Sequence, residues 1–307
     1  MRIAIMGSGG VGGYFGARLA LGGADVTFIA RGAHLDAMRQ DGLRVESPLG
    51  DMHLPQPKVT DDPASVGPVD FVLFSVKLWD TESAARAIAP MVGAGTGVVS
   101  FQNGVQKDDV LRSVLGEQAV IGGVSYIAAT IAAAGVIRHS GKLQKLVFGE
   151  CDGSSTERVQ RFRDACAAAG IDHELSSRIR ETIWEKFVFL VGLSGTTATA
   201  RVPIGPIRSN ERARAFLHDA MDEVVQVARA EGVALPADYA NDRLAFCDQI
   251  PATMTSSMHN DLERGGRLEV PWLSGDVVAR GRRLGIATPC NRAILDILSV
   301  HSEGRPA

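Results

Sequence analysis

A glycine-rich loop near the start of the chain constrains the fold more than any other feature of the sequence. An apolar stretch, Arg2 to Met6, leads into the loop Gly7-Ser8-Gly9-Gly10-Val11-Gly12, which fits the pattern G-x-G-x-x-G and opens a helix. Such a stretch is typical of a strand buried on both faces of a parallel sheet. A second apolar strand at 25–30 completes a β-α-β unit. The context therefore predicts a Rossmann-type dinucleotide-binding domain rather than a glycine-rich surface turn.

Each glycine of the pattern has a physical reason to be there. Gly7 allows the tight turn out of the strand, Gly9 lets a pyrophosphate approach the backbone, and Gly12 lets the helix pack closely on the sheet. The helix N-terminus offers unpaired N–H groups and a partial positive charge. We therefore expect the whole loop to bind the phosphates of the cofactor, through Gly7, Ser8, Gly9, Gly10, Val11 and Gly12.

Three further candidates follow predicted strands, where ligands bind in open α/β sheets. Arg31 comes after the second strand, where NAD-selective sites usually carry a carboxylate, and its guanidinium can pair with the 2′-phosphate of NADPH. Lys77 follows a strand at 70–76, and we expect it at a phosphate or ribose of the cofactor. Asn103 follows a strand at 97–101 and is expected where nicotinamide meets substrate. The alternatives are solvated side chains for Arg31 and Lys77 and an ordinary Asn-Gly turn at Asn103.

The periodicity of the sequence changes after residue 176. Residues 118–149 are rich in Val, Ile and Ala, with interspersed glycines, and predict several short strands. From Arg178 onward the apolar period is helical, over 178–199, 211–231, 238–249, 272–284 and 290–300. The sequence therefore predicts an α/β fold in which an NADP-binding Rossmann domain, residues 1–176, is followed by an all-α substrate-binding and catalytic domain, residues 177–307.

Composition excludes several classes of function for these 307 residues. The net charge of -3 gives no electrostatic reason to expect nucleic acid or an anionic membrane, and no apolar run is long enough to span a bilayer. The four cysteines and seven histidines have no metal-ligand spacing, so we expect reduced thiols and no metal. Because the first strand begins at Arg2, we expect no signal peptide and a cytoplasmic protein. The apolar helices could bury their faces within the domain or in a homodimer.

Two stretches of the helical part could carry chemistry. Residues 183–193 are apolar except for Glu185 and Lys186. A lysine in such a helix must pair, extend its amine to water, or act in catalysis, and the residues alone leave these readings open. The second stretch runs from Ser256 to Glu269, where a helix cap and solvated carboxylates are the alternatives. Spacing alone does not connect Glu269 with Lys186.

The chain resembles the ketopantoate reductase family over nearly its full length. The matching segments are the glycine loop, Arg31, Lys77-Leu78-Trp79, Gln102-Asn103-Gly104, Trp184-Glu185-Lys186, and Ser256-Ser257-Met258 with Glu269. The resemblance implies that the first domain binds NADPH and that the helical domain closes over a 2-keto acid. It further implies that Lys186 is the general acid and Glu269 its charged partner, which also contacts substrate. Asn103 would lie near nicotinamide and substrate, and Ser257 would bind the substrate carboxylate.

The chain departs from the family pattern at three positions. Leu190 and Ser194 stand where the family usually has asparagines on the face of the catalytic lysine, so Ser194 is expected to contact substrate in place of one of them. Asp80 replaces the family's usual polar residue after Trp79. A site without an amide partner discriminates differently between polar and apolar ligands.

The sequence thus predicts NADPH-dependent reduction of a 2-keto acid to a 2-hydroxy acid. The first candidate is the conversion of 2-dehydropantoate (ketopantoate) to pantoate in pantothenate biosynthesis. One alternative is a related reductase or dehydrogenase for another small 2-keto or hydroxy acid, which Leu190 favours. The other is an NADPH sensor without turnover, against which the intact Lys186 and Glu269 argue.

Overall fold

The computed structural model describes residues 1–305. They divide into two compact units. The first comprises residues 1–103 and 107–180, and the second comprises residues 104–106 and the described residues from Glu181 onward. Apart from the short segment 104–106, the main chain passes from the first unit to the second between Arg180 and Glu181.

The first unit is built on one ten-stranded sheet. Its strands are β1 (Arg2–Met6), β2 (Asp25–Ile29), β3 (Leu43–Glu46), β4 (Met52–Leu54), β5 (Lys58–Thr60), β6 (Phe71–Phe74), β7 (Gly97–Ser100), β8 (Val120–Ala133), β9 (Val136–Gly149) and β10 (Asp172–Leu175). Their order is β4-β3-β9-β8-β7-β6-β1-β2-β5, with β10 paired to β9. The strands from β5 to β8 in this order pair in parallel, as the predicted β-α-β unit requires.

Helices cover both faces of the parallel part of the sheet. They are α1 (Gly10–Leu21), α2 (Gly32–Asp41), α3 (Thr81–Ile88), α4 (Lys107–Leu115) and α5 (Glu157–Ala168). Because neighbouring strand residues point to opposite faces, Ile3 and Ile5 join the apolar cluster of α1 and α5, whereas Ala4 joins that of α3 and α4. Both faces of β1 are therefore buried, and the predicted Rossmann-type fold class is confirmed.

The region 118–149 corrects one expectation. It forms a single long antiparallel hairpin of β8 and β9 rather than several short strands. Its glycines suggested turns, but Gly122, Gly123 and Gly149 lie within the strands. A Cβ at Gly122 would press on Ile179, and one at Gly149 would collide with the Ser176 carbonyl. Gly122 and Gly149 therefore allow other segments of the chain to approach the strands closely. Gly135, with φ +74°, lies in the hairpin turn itself.

The second unit is helical, with no strand among its described residues. Its helices are α6 (Ile179–Ala200, which starts in the first unit), α7 (Ile204–Ser209), α8 (Glu211–Ala230), α9 (Tyr239–Gln249), α10 (Ser257–Glu263), α11 (Ser274–Leu284) and α12 (Pro289–Leu298). The five predicted helices are each found within two residues at either end, while α7 and α10 are additional. The all-α prediction for this part of the chain is confirmed.

Across residues 1–305 no group of His, Cys, Asp and Glu is arranged to hold a metal ion. No described helix is both long and apolar enough to cross a membrane. All four cysteines are free thiols. Burial raises the pKa of Cys166 to about 12 and that of Cys247 to about 11, so these two side chains behave as small apolar groups.

Candidate functional site

The glycine loop has a different geometry at each of its three signature positions. Gly7 has φ +94°, a region that favours glycine, and lets the chain turn out of β1. A Cβ at Gly12 would collide with the Gly7 carbonyl and the Ser75 hydroxyl, so the close packing expected there is observed. A Cβ at Gly9 would meet nothing within 4 Å. Gly9 is thus the position at which a ligand can approach the backbone.

The N-terminus of α1 has the properties of an anion site. The Gly13 N–H donates to the Gly9 carbonyl at 2.7 Å, and the N–H groups of Gly10, Val11 and Gly12 precede this bond. The first turn of α1 contains no acidic residue, and no side chain caps the helix. The partial positive charge is therefore not neutralised by a side chain of the helix itself, which fits a pyrophosphate.

Ser8 and Gly10 fix the conformation of the loop. The Ser8 side chain and the Cβ direction of Gly10 both point at other parts of the protein. Ser8 donates to the Ile29 carbonyl through both its N–H, at 3.2 Å, and its hydroxyl, at 2.9 Å. A Cβ at Gly10 would collide with the Ala129 carbonyl of β8. In this arrangement, the hydroxyl of Ser8 is unavailable to a phosphate, and Gly10 is needed because the hairpin runs directly against the loop.

Arg31 and Asp80 form an ion pair beyond the carboxyl ends of β2 and β6, the two strands on either side of β1. Arg31 precedes α2 directly, and its Nη2 lies 3.1 Å from Asp80 Oδ2. The side chains are 77% and 32% exposed, respectively, so water screens the pair. Lys77, also exposed, places its Nζ 5.6 Å from the ring centre of Trp79. The pairing with Asp80 is the feature of this region that sequence reasoning missed.

Gln102, which the sequence singles out only as part of the segment Gln102-Asn103-Gly104, connects two segments at the edge of the sheet. It is buried and donates to the Val76 carbonyl and to Thr81 Oγ1, each at 2.9 Å, while accepting from Ser100 Oγ at 3.0 Å. These bonds tie the segment after β7 to the segment after β6. The half-buried Asn103 follows directly, so Gln102 fixes the start of the segment that carries it.

In the second unit, the turn of α6 that carries Lys186 is packed from one side by an aromatic and ionic cluster. Trp184 meets Phe187 edge-on, with ring centres 5.6 Å apart, and the guanidinium of Arg280 lies 5.7 Å from the Trp184 ring. Arg280 is buried and pairs with Asp276 at 2.8 Å and with Glu231 at 3.1 Å. Lys186 itself is half-buried, at the edge of this packed region.

Two of the three departures from the family pattern lie further along α6. Leu190 is half-buried. Ser194 has 0% exposure, and within the described part of the chain its Oγ has no hydrogen-bond partner. A substrate could reach that hydroxyl only if its neighbours moved, so the assignment of Ser194 to substrate binding stays a prediction.

The segment 256–269 is anchored to α6 by buried polar contacts. Ser256, not Ser257, caps α10, because its Oγ accepts the His259 N–H at 3.0 Å. His259 Nδ1 lies 2.9 Å from the Thr197 carbonyl of α6. Ser257, the first residue of α10, is thereby left exposed, and Glu269 is buried just before a short 3₁₀ turn at 270–272. A buried carboxylate of this kind requires polar or charged surroundings.

The structure thus distributes the predicted residues between the units. The first unit holds the glycine loop, Arg31, Lys77 and Asn103, and the second holds Lys186, Ser194, Ser257 and Glu269. The first set follows the carboxyl ends of the parallel strands β1, β2, β6 and β7, where a dinucleotide binds in a Rossmann-type fold. The second combines a half-buried amine with a buried carboxylate and an exposed hydroxyl.

Comparison with known proteins agrees with this division. A family model described as ketopantoate reductase PanE/ApbA matches residues 3–153, and the model of its C-terminal part matches 178–302. The chain is 33% identical to a 2-dehydropantoate 2-reductase of Halobacterium salinarum, over 97% of this chain and 98% of that protein. It is 30% identical to the uncharacterized oxidoreductase YkpB of Bacillus subtilis, over 94% and 95%.

A solved structure extends the similarity to three dimensions. The PanE/ApbA family ketopantoate reductase from Ralstonia eutropha is 37% identical, with a TM-score of 0.89 over 98% of each chain. The Rossmann-type unit and the family match together define a dinucleotide-dependent oxidoreductase. The chain belongs to the ketopantoate reductase PanE/ApbA family.

Proposed function

We propose that this protein reduces a 2-keto acid to the corresponding 2-hydroxy acid with NADPH, and that 2-dehydropantoate is its first candidate substrate. The observation that carries the proposal is the nearly full-length similarity to proteins named 2-dehydropantoate 2-reductase. The presence of Lys186 and the buried Glu269 in the second unit supports turnover rather than cofactor binding alone. The product would be pantoate, an intermediate of pantothenate biosynthesis.

The residues of the first unit would hold the cofactor. The N–H groups at the start of α1 would bind the pyrophosphate, and Arg31 would pair with the 2′-phosphate. Lys77 would contact a phosphate or ribose, and Asn103 would orient the substrate beside the nicotinamide. When bound, NADPH supplies a hydride to C2 of the keto acid.

The residues of the second unit would handle charge and protons. Negative charge develops on the carbonyl oxygen during reduction, and Lys186 would stabilise it and donate a proton to that oxygen. Glu269 would balance the charge of the ammonium and contact the substrate. Ser257, exposed at the start of α10, would donate its hydroxyl hydrogen to the substrate carboxylate.

The preference for NADPH over NADH rests on Arg31. No carboxylate stands at the position directly after β2, but Asp80 lies beside the guanidinium and would repel a 2′-phosphate. We therefore expect a real but moderate preference for NADPH. Arg31→Ala should weaken NADPH binding by about tenfold, the lower end for a charge-assisted contact that water screens, and affect NADH less. Equal losses for both cofactors would remove the 2′-phosphate assignment.

A second candidate is the reduction of a 2-keto acid with an apolar side chain. Leu190, half-buried and one helical turn beyond Lys186, provides no hydrogen bond to a substrate hydroxyl. An apolar group at this position would favour a substrate that lacks the hydroxymethyl group of 2-dehydropantoate. NADPH remains the expected cofactor, because the first unit is unchanged by this alternative.

One assay separates these functions. The protein is mixed with NADPH and, in turn, with 2-dehydropantoate and a series of 2-keto acids bearing alkyl or aryl groups, and the loss of reduced nicotinamide is followed by absorbance. The highest kcat/KM with 2-dehydropantoate supports the first candidate, and the highest value with an alkyl keto acid supports the second. NADPH binding without turnover of any keto acid would indicate a sensor.

We also propose a cytoplasmic location, which the four free thiols support. A homodimer stays a prediction from the apolar helices. Sedimentation velocity on the purified protein would give the oligomeric state directly.

A further inference from the structure

His34, in the first turn of α2, connects the glycine loop to the tip of the β8–β9 hairpin. Its Nε2 lies 2.9 Å from the Ser8 carbonyl oxygen. Its Nδ1 lies 3.0 Å from the N–H of Gly135, in the hairpin turn. One imidazole thus joins two segments that are 127 residues apart in sequence (135 − 8).

The two partners determine which nitrogen carries the proton. A backbone N–H can only donate, so His34 Nδ1 must accept from Gly135. A carbonyl can only accept, so Nε2 must carry hydrogen and donate to Ser8. The geometry therefore specifies the neutral ring in its Nε2–H form. A protonated ring would bring a second N–H against that of Gly135 and break this bond.

The bond to Ser8 sets the direction of the next amide in the loop. In a planar trans peptide, the C=O of one residue and the N–H of the next point in opposite directions. Turning the Ser8 carbonyl towards His34 therefore turns the Gly9 N–H away from His34. Gly9 is also the position whose missing Cβ leaves open space.

The other carbonyls of the loop are held in the same way. Ser75 Oγ donates to the Gly7 carbonyl at 2.8 Å, and the Gly13 N–H donates to that of Gly9 at 2.7 Å. All three oxygens of residues 7–9 thus have donors from the protein. A carbonyl oxygen that pointed at the ligand would repel a phosphate. These hydrogen bonds hold the three oxygens towards donors of the protein instead.

The surroundings of His34 favour its neutral form. Burial lowers the pKa of His34 below its usual 6.5, against the smaller opposing effect of the Ser8 carbonyl. The loop 7–13 and the hairpin turn 133–135 contain no titratable side chain. The charged residues nearest to His34 in sequence are Arg31, which precedes α2, and Asp36 on α2, and both are exposed.

We infer that His34 is a positioning residue of the dinucleotide site, which holds the Ser8–Gly9 peptide so that the Gly9 N–H is available to the pyrophosphate. The inference rests on the proposed use of a nicotinamide dinucleotide. It is independent of the choice between NADPH and NADH, since both contain the pyrophosphate. It assigns His34 no contact with substrate and no part in proton transfer.

Three substitutions separate the two hydrogen bonds. His34→Gln places an amide N–H near the position of Nε2 and keeps a donor for Ser8. His34→Asn is shorter, keeps an acceptor for Gly135 and loses the donor for Ser8. His34→Ala loses both. Dissociation constants for NADPH and NADH are measured by fluorescence titration, and 2′-AMP, which lacks the pyrophosphate, serves as the control ligand.

The inference predicts a specific pattern of affinities. His34→Asn and His34→Ala should bind both dinucleotides about three- to tenfold more weakly, the loss expected for one net hydrogen bond. His34→Gln should remain within about twofold of wild type, given the retained donor. The affinity for 2′-AMP should be the same in all four proteins, and kcat at saturating cofactor should change little.

Equal dinucleotide affinities in His34→Asn and His34→Gln would overturn the inference, as would a parallel loss of 2′-AMP binding. Wild-type protein that binds neither dinucleotide would overturn the proposed function together with the inference. That result differs from the variant patterns above, which would overturn the inference alone. The imidazole ¹⁵N spectrum of the wild type tests the same inference without substitution. It should contain a neutral Nε2–H ring that is absent from His34→Gln, and assignment of His34 to the Nδ1–H form would contradict it.

Discussion

The two units build their candidate sites from different parts of the polypeptide. In the first unit the site is mostly backbone: the N–H groups at the start of α1, three occupied carbonyls, and the open face of Gly9. In the second unit it consists of side chains from distant segments, with Lys186 on α6 and Ser257 and Glu269 beyond α9. A backbone site depends on glycine spacing, whereas a side-chain site depends on how helices pack.

This difference predicts a different response to substitution in each unit. Changes at the glycine loop and at Arg31 in the first unit should alter cofactor affinity while leaving the chemical step intact. Changes in the second unit should alter turnover while leaving cofactor affinity intact.

Lys186→Ala should lower kcat by roughly 10²–10⁴-fold, the range for loss of a general acid. NADPH affinity and the folded state should be retained, because the residues proposed to bind cofactor lie in the other unit. Steady-state kinetics with the best keto acid and a fluorescence titration give the two quantities. Lys142→Ala, at an exposed lysine of β9, is the matched control and should behave as wild type. A Lys186→Ala variant that turns over near the wild-type rate would mean that the proton comes from elsewhere.

Gly9→Val should abolish most NADPH binding while the protein stays folded. The new side chain has room in the folded protein, since a Cβ at Gly9 meets nothing, but it fills the space that the pyrophosphate needs. Loss of two charge-assisted N–H···O bonds corresponds to roughly 10²-fold or more in affinity. Gly95→Val, also with open space at its Cβ, is the control for an added valine. Unchanged NADPH affinity in Gly9→Val would show that the loop is only structural.

Asp80→Asn should strengthen NADPH binding by about threefold and leave NADH binding unchanged. The substitution removes a negative charge beside Arg31, and a charge–charge interaction at an exposed site is worth under about 1 kcal/mol. Asp61→Asn removes the carboxylate of another exposed pair, that with Arg39, and should affect neither cofactor. Weaker NADPH binding in Asp80→Asn would mean instead that Asp80 holds Arg31 in place.

His34 gives the smallest effect, a pH-dependent part of the stability. Its pKa is lowered in the folded protein, so its contribution is fully present above the usual 6.5 and is lost as the pH falls through the folded value. Between about pH 8 and about pH 5, the free energy of unfolding should fall less in His34→Gln than in wild type. Urea unfolding at both pH values provides the comparison. An identical fall in both proteins would exclude this contribution.

The same contrast explains what could be predicted from the sequence. The β1–loop–α1 arrangement follows from local rules, because strand, glycine and helix positions are set by neighbours in the chain. The prediction of several short strands over 118–149 was wrong, because Gly122 and Gly149 are required by contacts with Ile179 and Ser176, which are distant in sequence. Helix α4 was not predicted. Its first two residues, Lys107 and Asp108, form a buried ion pair, so polar residues occupy positions where the helical pattern leads one to expect exposed side chains.

Side-chain contacts at the candidate sites were harder to predict from the sequence than the strands and helices. The sequence identified Arg31 as a cation after β2 and noted Asp80, but only the fold brings them to 3.1 Å. Ser256 and Ser257 were equal candidates for a helix cap until the His259 N–H distinguished them. The roles of Lys186 and Glu269 came from family resemblance, because no local rule relates residues 83 positions apart (269 − 186).

Transfer of a labelled hydride from NADPH to 2-dehydropantoate is the decisive test of the proposed reduction. NADPH carrying deuterium on one face of the nicotinamide C4 is incubated with the protein and 2-dehydropantoate, and the experiment is repeated with the label on the other face. We expect the hydroxy acid formed to carry deuterium at C2 with one of the two cofactors and none with the other. Formation of an unlabelled hydroxy acid with both cofactors, or no hydroxy acid from any 2-keto acid despite tight NADPH binding, would contradict it.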